Sequence, residues 1–178
     1  MSRTRTPLAW LVALLLVPAC DPVHDDAIAA LGPEQAGVRQ GPLHRPGQPC
    51  LQCHDGELGD PQRFTVAGTV FLTPDGLAPA DGVDVRVIDA HDAVCSISTN
   101  AAGNFYFTPE TCDPTFPLKV ELRPQPNLPP AAVMQTLVEG NGTTTPINGA
   151  CASCHFDPAG PNSPGHVYLK TDDGGAPL

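Results

Sequence analysis

Two short segments of the sequence combine thiols and an imidazole at the same spacing. Residues 50–54 read CLQCH and residues 151–155 read CASCH. In each segment two residues separate the cysteines, and a histidine follows the second cysteine at once. Such a set can attach a haem covalently through two thiols and one imidazole. It can also contribute thiolates and imidazoles to a zinc site, or close a short-range disulfide.

Two observations favour haem attachment among these alternatives. The pattern occurs twice, and the N-terminus, described below, predicts that the chain is exported. Zinc thiolate sites are disfavoured outside the cytoplasm because the cysteines oxidise there, and a disulfide does not explain why histidine follows both pairs. Both segments resemble the attachment motif of c-type cytochromes. The resemblance implies two covalently attached haem c groups, with His54 and His155 as proximal axial ligands. The thioethers would come from the four motif cysteines, Cys50, Cys53, Cys151 and Cys154.

The second axial ligand of each iron is less sharply defined by the sequence. His44 precedes the first motif and His166 follows the second, both in loop sequence rich in Pro and Gly, so each is a candidate ligand or an exposed loop histidine. Met134 lies in a strand-like run, where a core role is favoured over iron ligation. His24 and His91 are expected to be solvated.

The N-terminus predicts export. MSRTRTPLAWLVALLLVPAC places two arginines before an apolar run that is too short to span a bilayer. The end of this segment resembles a bacterial lipobox, so residues 1–19 are predicted to be a lipoprotein signal peptide and Cys20 the lipidated residue. An ordinary cleaved signal, with Cys20 left as a thiol, is the alternative. The expected location is the bacterial cell envelope, at the periplasmic or outer-membrane surface.

The charge of the chain limits its partners. Removing residues 1–19 takes away two arginines and no acid, so the net charge moves from −10 to −12. Such an acidic surface argues against nucleic acid and against direct binding to anionic lipid. We expect the membrane to be contacted through the lipid anchor only, and envelope redox proteins with basic patches to be the partners.

The remaining cysteines and the strand pattern predict the fold. Cys95 and Cys112 lie in one β-rich segment and are expected to form a structural disulfide. Short runs rich in Val, Ile, Thr and Phe, separated by turn signals, predict a mainly β protein: a small antiparallel β-sandwich whose irregular arms carry the CxxCH motifs. The expected divisions are a tether and first CxxCH arm (20–62), the sandwich (63–123), and a loop-rich arm with the second CxxCH motif (124–178).

The sandwich segment also resembles a known family. Thr99, Gly103, Phe105 and Phe107 match the T-x-x-x-G-x-F-x-F signature of the carboxypeptidase regulatory-like domain, which has a transthyretin-like β-sandwich. The resemblance covers about residues 64–123 and implies a fold and an accessory role. It brings no catalytic residues and implies no peptidase activity.

Two functions fit these observations. The first is an extracytoplasmic dihaem c-type lipoprotein that transfers electrons. The alternative is a non-redox cell-surface binding or scaffold lipoprotein in which the CxxC pairs are disulfide clips. The chain contains no nucleophile-and-base motif, no H-E-x-x-H and no P-loop, so we expect no enzyme activity.

Overall fold

A computed structural model describes residues 22–34, 36–56, 62–135 and 149–169 of the chain. The predicted signal peptide and the predicted lipidation site, Cys20, lie outside these residues. Within the described part, α1 (Pro22–Ala30) is the single α-helix, and no helix there has the length and apolarity needed to cross a bilayer.

The described residues form seven strands in two sheets. The strands are β1 (Val66–Thr69), β2 (Asp84–Ile88), β3 (Val94–Ser98), β4 (Asn104–Phe107), β5 (Lys119–Arg123), β6 (Ala132–Gln135) and β7 (Gly149–Ala150). The first sheet has the order β4-β1-β7, with β1 antiparallel to β4 and parallel to β7. The second has the order β3-β2-β5-β6, and all its pairs are antiparallel. The predicted mainly β fold is confirmed.

The core lies between the two sheets. Val85 and Val87 of β2 are fully buried, as strand alternation predicts. They pack with Val66 of β1 and with Phe105 and Phe107 of β4 in one apolar cluster. Burial of this cluster away from water is the main force that holds the sheets together.

The turn before β4 explains the Thr-to-Gly spacing of the sequence. The Thr99 hydroxyl accepts a hydrogen bond from the Val83 N–H at 2.9 Å and donates one to the Ala80 carbonyl at 2.6 Å. Gly103 has φ +73°, and a Cβ there would lie 2.2 Å from the Val70 carbonyl oxygen. Only glycine fits this position, because both its backbone angle and its space exclude a side chain.

Both arms take part in the sandwich. The C-terminal arm supplies β6 to the edge of the second sheet and β7 to the edge of the first, and Tyr168 forms a bridge with Phe71. The predicted disulfide is present: Cys95 on β3 is joined to Cys112, with 6.0 Å between the Cα atoms. The C-terminal arm is therefore part of the sheets, whereas the 20–62 arm is attached to them by contacts such as the hydrogen bond from the Gly47 N–H to Thr69 Oγ1 at 2.8 Å.

The outer face of the second sheet carries a compact ion cluster. The Glu121 carboxylate accepts hydrogen bonds from Lys119 Nζ at 2.7 Å and from Arg123 Nη2 at 2.6 Å. Glu121 is only 5 % exposed because these long side chains cover it. The hydrogen bonds from Lys119 and Arg123 hold the pKa of Glu121 below its usual value.

Candidate functional site

The two CxxCH segments fold into the same backbone turn. Each is a single 3-10 turn, Cys50–Gln52 and Cys151–Ser153. The residue before the turn is extended in both, with φ −73° and ψ 92° at Pro49 and φ −83° and ψ 97° at Ala150. The histidine N–H donates to the carbonyl of the first cysteine, at 3.0 Å in the first turn and 2.9 Å in the second. Two segments 101 positions apart in the sequence thus share one backbone conformation.

Strand β1 brings the two turns to the same edge of the first sheet. Because β7 pairs with β1 through Val66–Gly149 and Ala67–Ala150, the second turn begins beside Gly68. The first turn also packs on β1 and on β7. A Cβ on Gly68 would lie 2.8 Å from Cβ and 3.1 Å from Sγ of Cys151, so the missing side chain makes room for the second turn.

Each motif histidine is oriented by a backbone carbonyl downstream of it. His54 Nδ1 lies 3.1 Å from the Gln62 carbonyl oxygen, and His155 Nδ1 lies 3.0 Å from that of Gly165. Because a carbonyl oxygen only accepts, Nδ1 is the donor and Nε2 carries the lone pair of the neutral ring. This is the arrangement that metal-ligating histidines commonly have.

An aromatic stack surrounds the first motif histidine. His54 stacks on Phe64 with 4.3 Å between ring centroids, and Phe64 stacks on Tyr106 of β4 at 4.5 Å. The Phe64–Tyr106 separation is at the short end of the range of about 4.5–7 Å that aromatic pairs prefer, and the His54–Phe64 separation is slightly shorter. The chain is poor in aromatic residues, and the structure concentrates two of them beside this motif.

His44 lies next to His54. Their ring centroids are 5.9 Å apart, with the planes tilted by 47°. His44 Nδ1 contacts the backbone of Gly41, so Nε2 is the remaining ring nitrogen. The buried Asn104 amide donates to the carbonyls of His44 at 3.0 Å and Pro42 at 3.2 Å, which fixes this loop to β4.

The second motif histidine meets Met134. His155 Nε2 is 3.2 Å from the Met134 sulfur. Met134 is partly buried and packs against the core cluster, as the sequence favoured, but its sulfur also faces the second turn. Burial lowers the pKa of His155, against the opposing effect of the Gly165 carbonyl. A neutral imidazole, which metal ligation requires, is thereby favoured.

The other histidines lie elsewhere. The His166 ring packs on Phe71 at 4.8 Å, beside the loop that contains Gly76. His91 is exposed, as expected. The expectation that His24 is solvated is wrong: its side chain is only 12 % exposed and lies 3.7 Å from Asp55, because α1 packs on the first CxxCH turn.

Of the four motif cysteines, Cys50, Cys53 and Cys151 are half-buried, whereas Cys154 is exposed. Burial raises the pKa of Cys50 to about 11 and that of Cys151 to about 12. Cys50 is close enough to Cys151 to add to the second of these increases. Buried neutral thiols such as those of Cys50 and Cys151 are poor nucleophiles.

Other candidate sites are weaker. Among the described residues no cluster of three or more His, Cys, Asp or Glu side chains is arranged to hold a metal ion. A haem iron takes only two axial side chains, so this observation does not bear on it. An open cleft of about 850 Å³ lies between the loop 37–46 and Phe71, and neither CxxCH turn lines it.

Sequence reasoning missed several residues that build the site. No local sequence pattern marks the residues that pack against the turns or position a histidine, which are Gly68, Phe64, Tyr106 and Asn104. Met134 carried one signal, since Met1 and Met134 are the only methionines in the chain.

Comparisons with protein-family models, with curated proteins and with solved structures return no match for this chain.

Proposed function

We propose that the protein is a dihaem c-type electron-transfer lipoprotein of the bacterial cell envelope. The observation that carries the proposal is the pair of equivalent CxxCH turns packed on β1, each with a histidine held by a backbone carbonyl. Cys50 and Cys53 with His54 would hold one haem, and Cys151 and Cys154 with His155 the other. When bound, each haem supplies a one-electron iron couple.

The chain fits this cofactor on several independent points. Both motif turns direct two thiols and one imidazole from a single turn of backbone. Both imidazoles donate from Nδ1 to a backbone carbonyl, which is how metal-ligating histidines are commonly oriented. The stack of His54, Phe64 and Tyr106 offers an apolar, planar surface beside the first motif.

Electron transfer is favoured over ligand binding or catalysis because each motif histidine has a second donor side chain nearby. His44 is beside His54, and the Met134 sulfur is beside His155. Side chains that occupy both axial positions of an iron leave no open position for substrate. Both turns pack on β1, which further favours electron transfer between the two haems over two independent sites.

Location and partners follow from the sequence. The predicted signal peptide and Cys20 would export and anchor the protein, and its net negative charge favours partners with a basic docking patch. The partners we propose are one-electron donor and acceptor proteins of the envelope.

The test is the intact mass and absorption spectrum of the mature protein, made in a host that attaches c-type haem. We expect a Soret band and a mass surplus of two haems. Replacing Cys53 and His54 together, or Cys154 and His155 together, should remove one haem each, whereas His91→Ala on the exposed surface should remove none. A colourless product with disulfides within both CxxC pairs would overturn the proposal and leave the non-redox scaffold.

A further inference from the structure

At the second CxxCH turn, two electron-pair donors face each other without a hydrogen between them. His155 donates through Nδ1 to the Gly165 carbonyl, so Nε2 of the neutral ring is an acceptor. The thioether sulfur of Met134 is also only an acceptor, and the two atoms are 3.2 Å apart. Both atoms can bind one metal ion; with bonds of about 2.0 Å to nitrogen and about 2.3 Å to sulfur on opposite sides of the ion, the two atoms would separate to about 4.3 Å.

The convergence is imposed by the fold. Met134 pairs with Val120 across the second sheet, and both side chains point to the inner side, where Met134 touches the core. His155 is fixed by its turn against β1 in the first sheet. The contact therefore joins a strand of the second sheet to a turn packed on the first sheet, at the edge where β6 and β7 lie.

At the first turn the side chain beside the motif histidine is another histidine instead of a methionine. His44 lies 5.9 Å from His54 between ring centroids. A metal ion bound by both imidazoles would lie about 2 Å from each ligating nitrogen, and each nitrogen lies about 1 Å from its ring centroid. The two centroids would then be about 6 Å apart. Asn104 holds the His44 carbonyl, so this histidine is also positioned by the sandwich.

We propose that the two sites use different axial pairs, His54 with His44 at the first and His155 with Met134 at the second. This inference rests on the proposed function. Methionine with histidine raises the reduction potential of haem relative to two histidines. The second haem therefore has the higher potential, and the protein has two separated redox steps. His166, which packs on Phe71, has no ligand role.

The first test uses selenomethionine in the holoprotein. Met134 is the only methionine beyond the initiator, so after removal of the predicted signal peptide every selenium atom reports on position 134. Selenium absorption fine structure should show iron at bonding distance. A selenium atom surrounded only by light atoms, in a protein that carries two haems, would overturn the ligand assignment and leave the proposed function intact.

The second test is potentiometric titration of the same holoprotein with substitutions on β6. Met134→Leu preserves side-chain size, and it should abolish the sulfur-to-iron charge-transfer absorption and allow added imidazole to bind one haem. Met134→His should shift the upper step to lower potential, toward the lower one. Val133→His makes a similar change on the opposite, exposed face of β6 and should change neither step.

The first site is tested in the same titration. His44→Ala should open one haem to added imidazole, whereas His166→Ala should not. Equal effects of His44→Ala and His166→Ala, or an upper step that responds to His166→Ala and not to Met134→His, would contradict the assignment. A protein without haem would instead overturn the proposed function itself, so the two failures are distinguishable.

Discussion

Gly68→Ala tests whether the second CxxCH turn packs directly on β1 at position 68. The added Cβ would lie 2.8 Å from Cβ and 3.1 Å from Sγ of Cys151, and 3.2 Å from Cε1 of Phe105. Ordinary carbon contacts are about 3.5–4.0 Å. Cys151 Cβ is attached directly to the backbone, so the turn itself has to move to relieve the contact.

The expected cost of this substitution is moderate. Overpacking of a filled interior costs about 1–3 kcal/mol, and replacing a strand glycine by alanine returns about 0.5–1 kcal/mol. The net loss in free energy of unfolding is about 1–2 kcal/mol. At about 2–4 °C per kcal/mol for a chain of this size, the midpoint of thermal unfolding falls by roughly 2–8 °C.

The assay is thermal unfolding of the mature holoprotein, with haem content per chain measured in parallel. Gly160→Ala is the matched control, because a Cβ at Gly160 meets nothing within 4 Å. We expect Gly68→Ala to lower both the midpoint and the occupancy of the second motif, while Gly160→Ala leaves both unchanged. If the two variants behave alike, the second turn does not rest on Gly68 and the reasoning is refuted.

Three further predictions concern the frame around the site. Glu121→Gln should lower the free energy of unfolding by about 1–3 kcal/mol at pH 7. The neighbouring lysine and arginine hold the pKa of Glu121 low, so this loss of stability should fade as the pH falls below about 4.3 and through the lowered pKa. Urea unfolding across pH measures it. Asn104→Ala should cost about 1–3 kcal/mol and perturb the spectrum of the His44 site alone. Replacing Cys95 and Cys112, which are 17 positions apart, with alanine should lower stability by about 3 kcal/mol, read from the shift of the urea midpoint.

Each of these predictions has an opposing result. A cost of Glu121→Gln that stays constant from pH 7 to pH 3 would remove the ion cluster as its cause. An Asn104 variant with equal effects at both motifs would show that the amide supports the sandwich generally and does not position His44. An unchanged urea midpoint without the disulfide would mean that the sheet pairing alone holds β3.

Much of the fold was readable from local pattern. Alternation in β2 predicted which side of the strand is buried, and Val85 and Val87 are fully buried. A turn signal between the strand-like runs predicted the turn before β4, and the structure shows that only glycine fits at Gly103. The run around Met134 predicted an extra strand, which is β6. These features depend on backbone angles and side-chain periodicity over a few residues, so sequence carries them directly.

The sequence by itself determined the two CxxCH motifs and the strand pattern, because both depend on residue types at short spacing, and it predicted the pairing of Cys95 with Cys112 because both lie in one β-rich segment. Only the tertiary structure decided that both motifs share β1, that His44 lies beside His54, and that Met134 rather than His166 meets His155. These neighbours come from different strands and loops. Their meeting depends on sheet order and burial, which spacing along the chain does not encode.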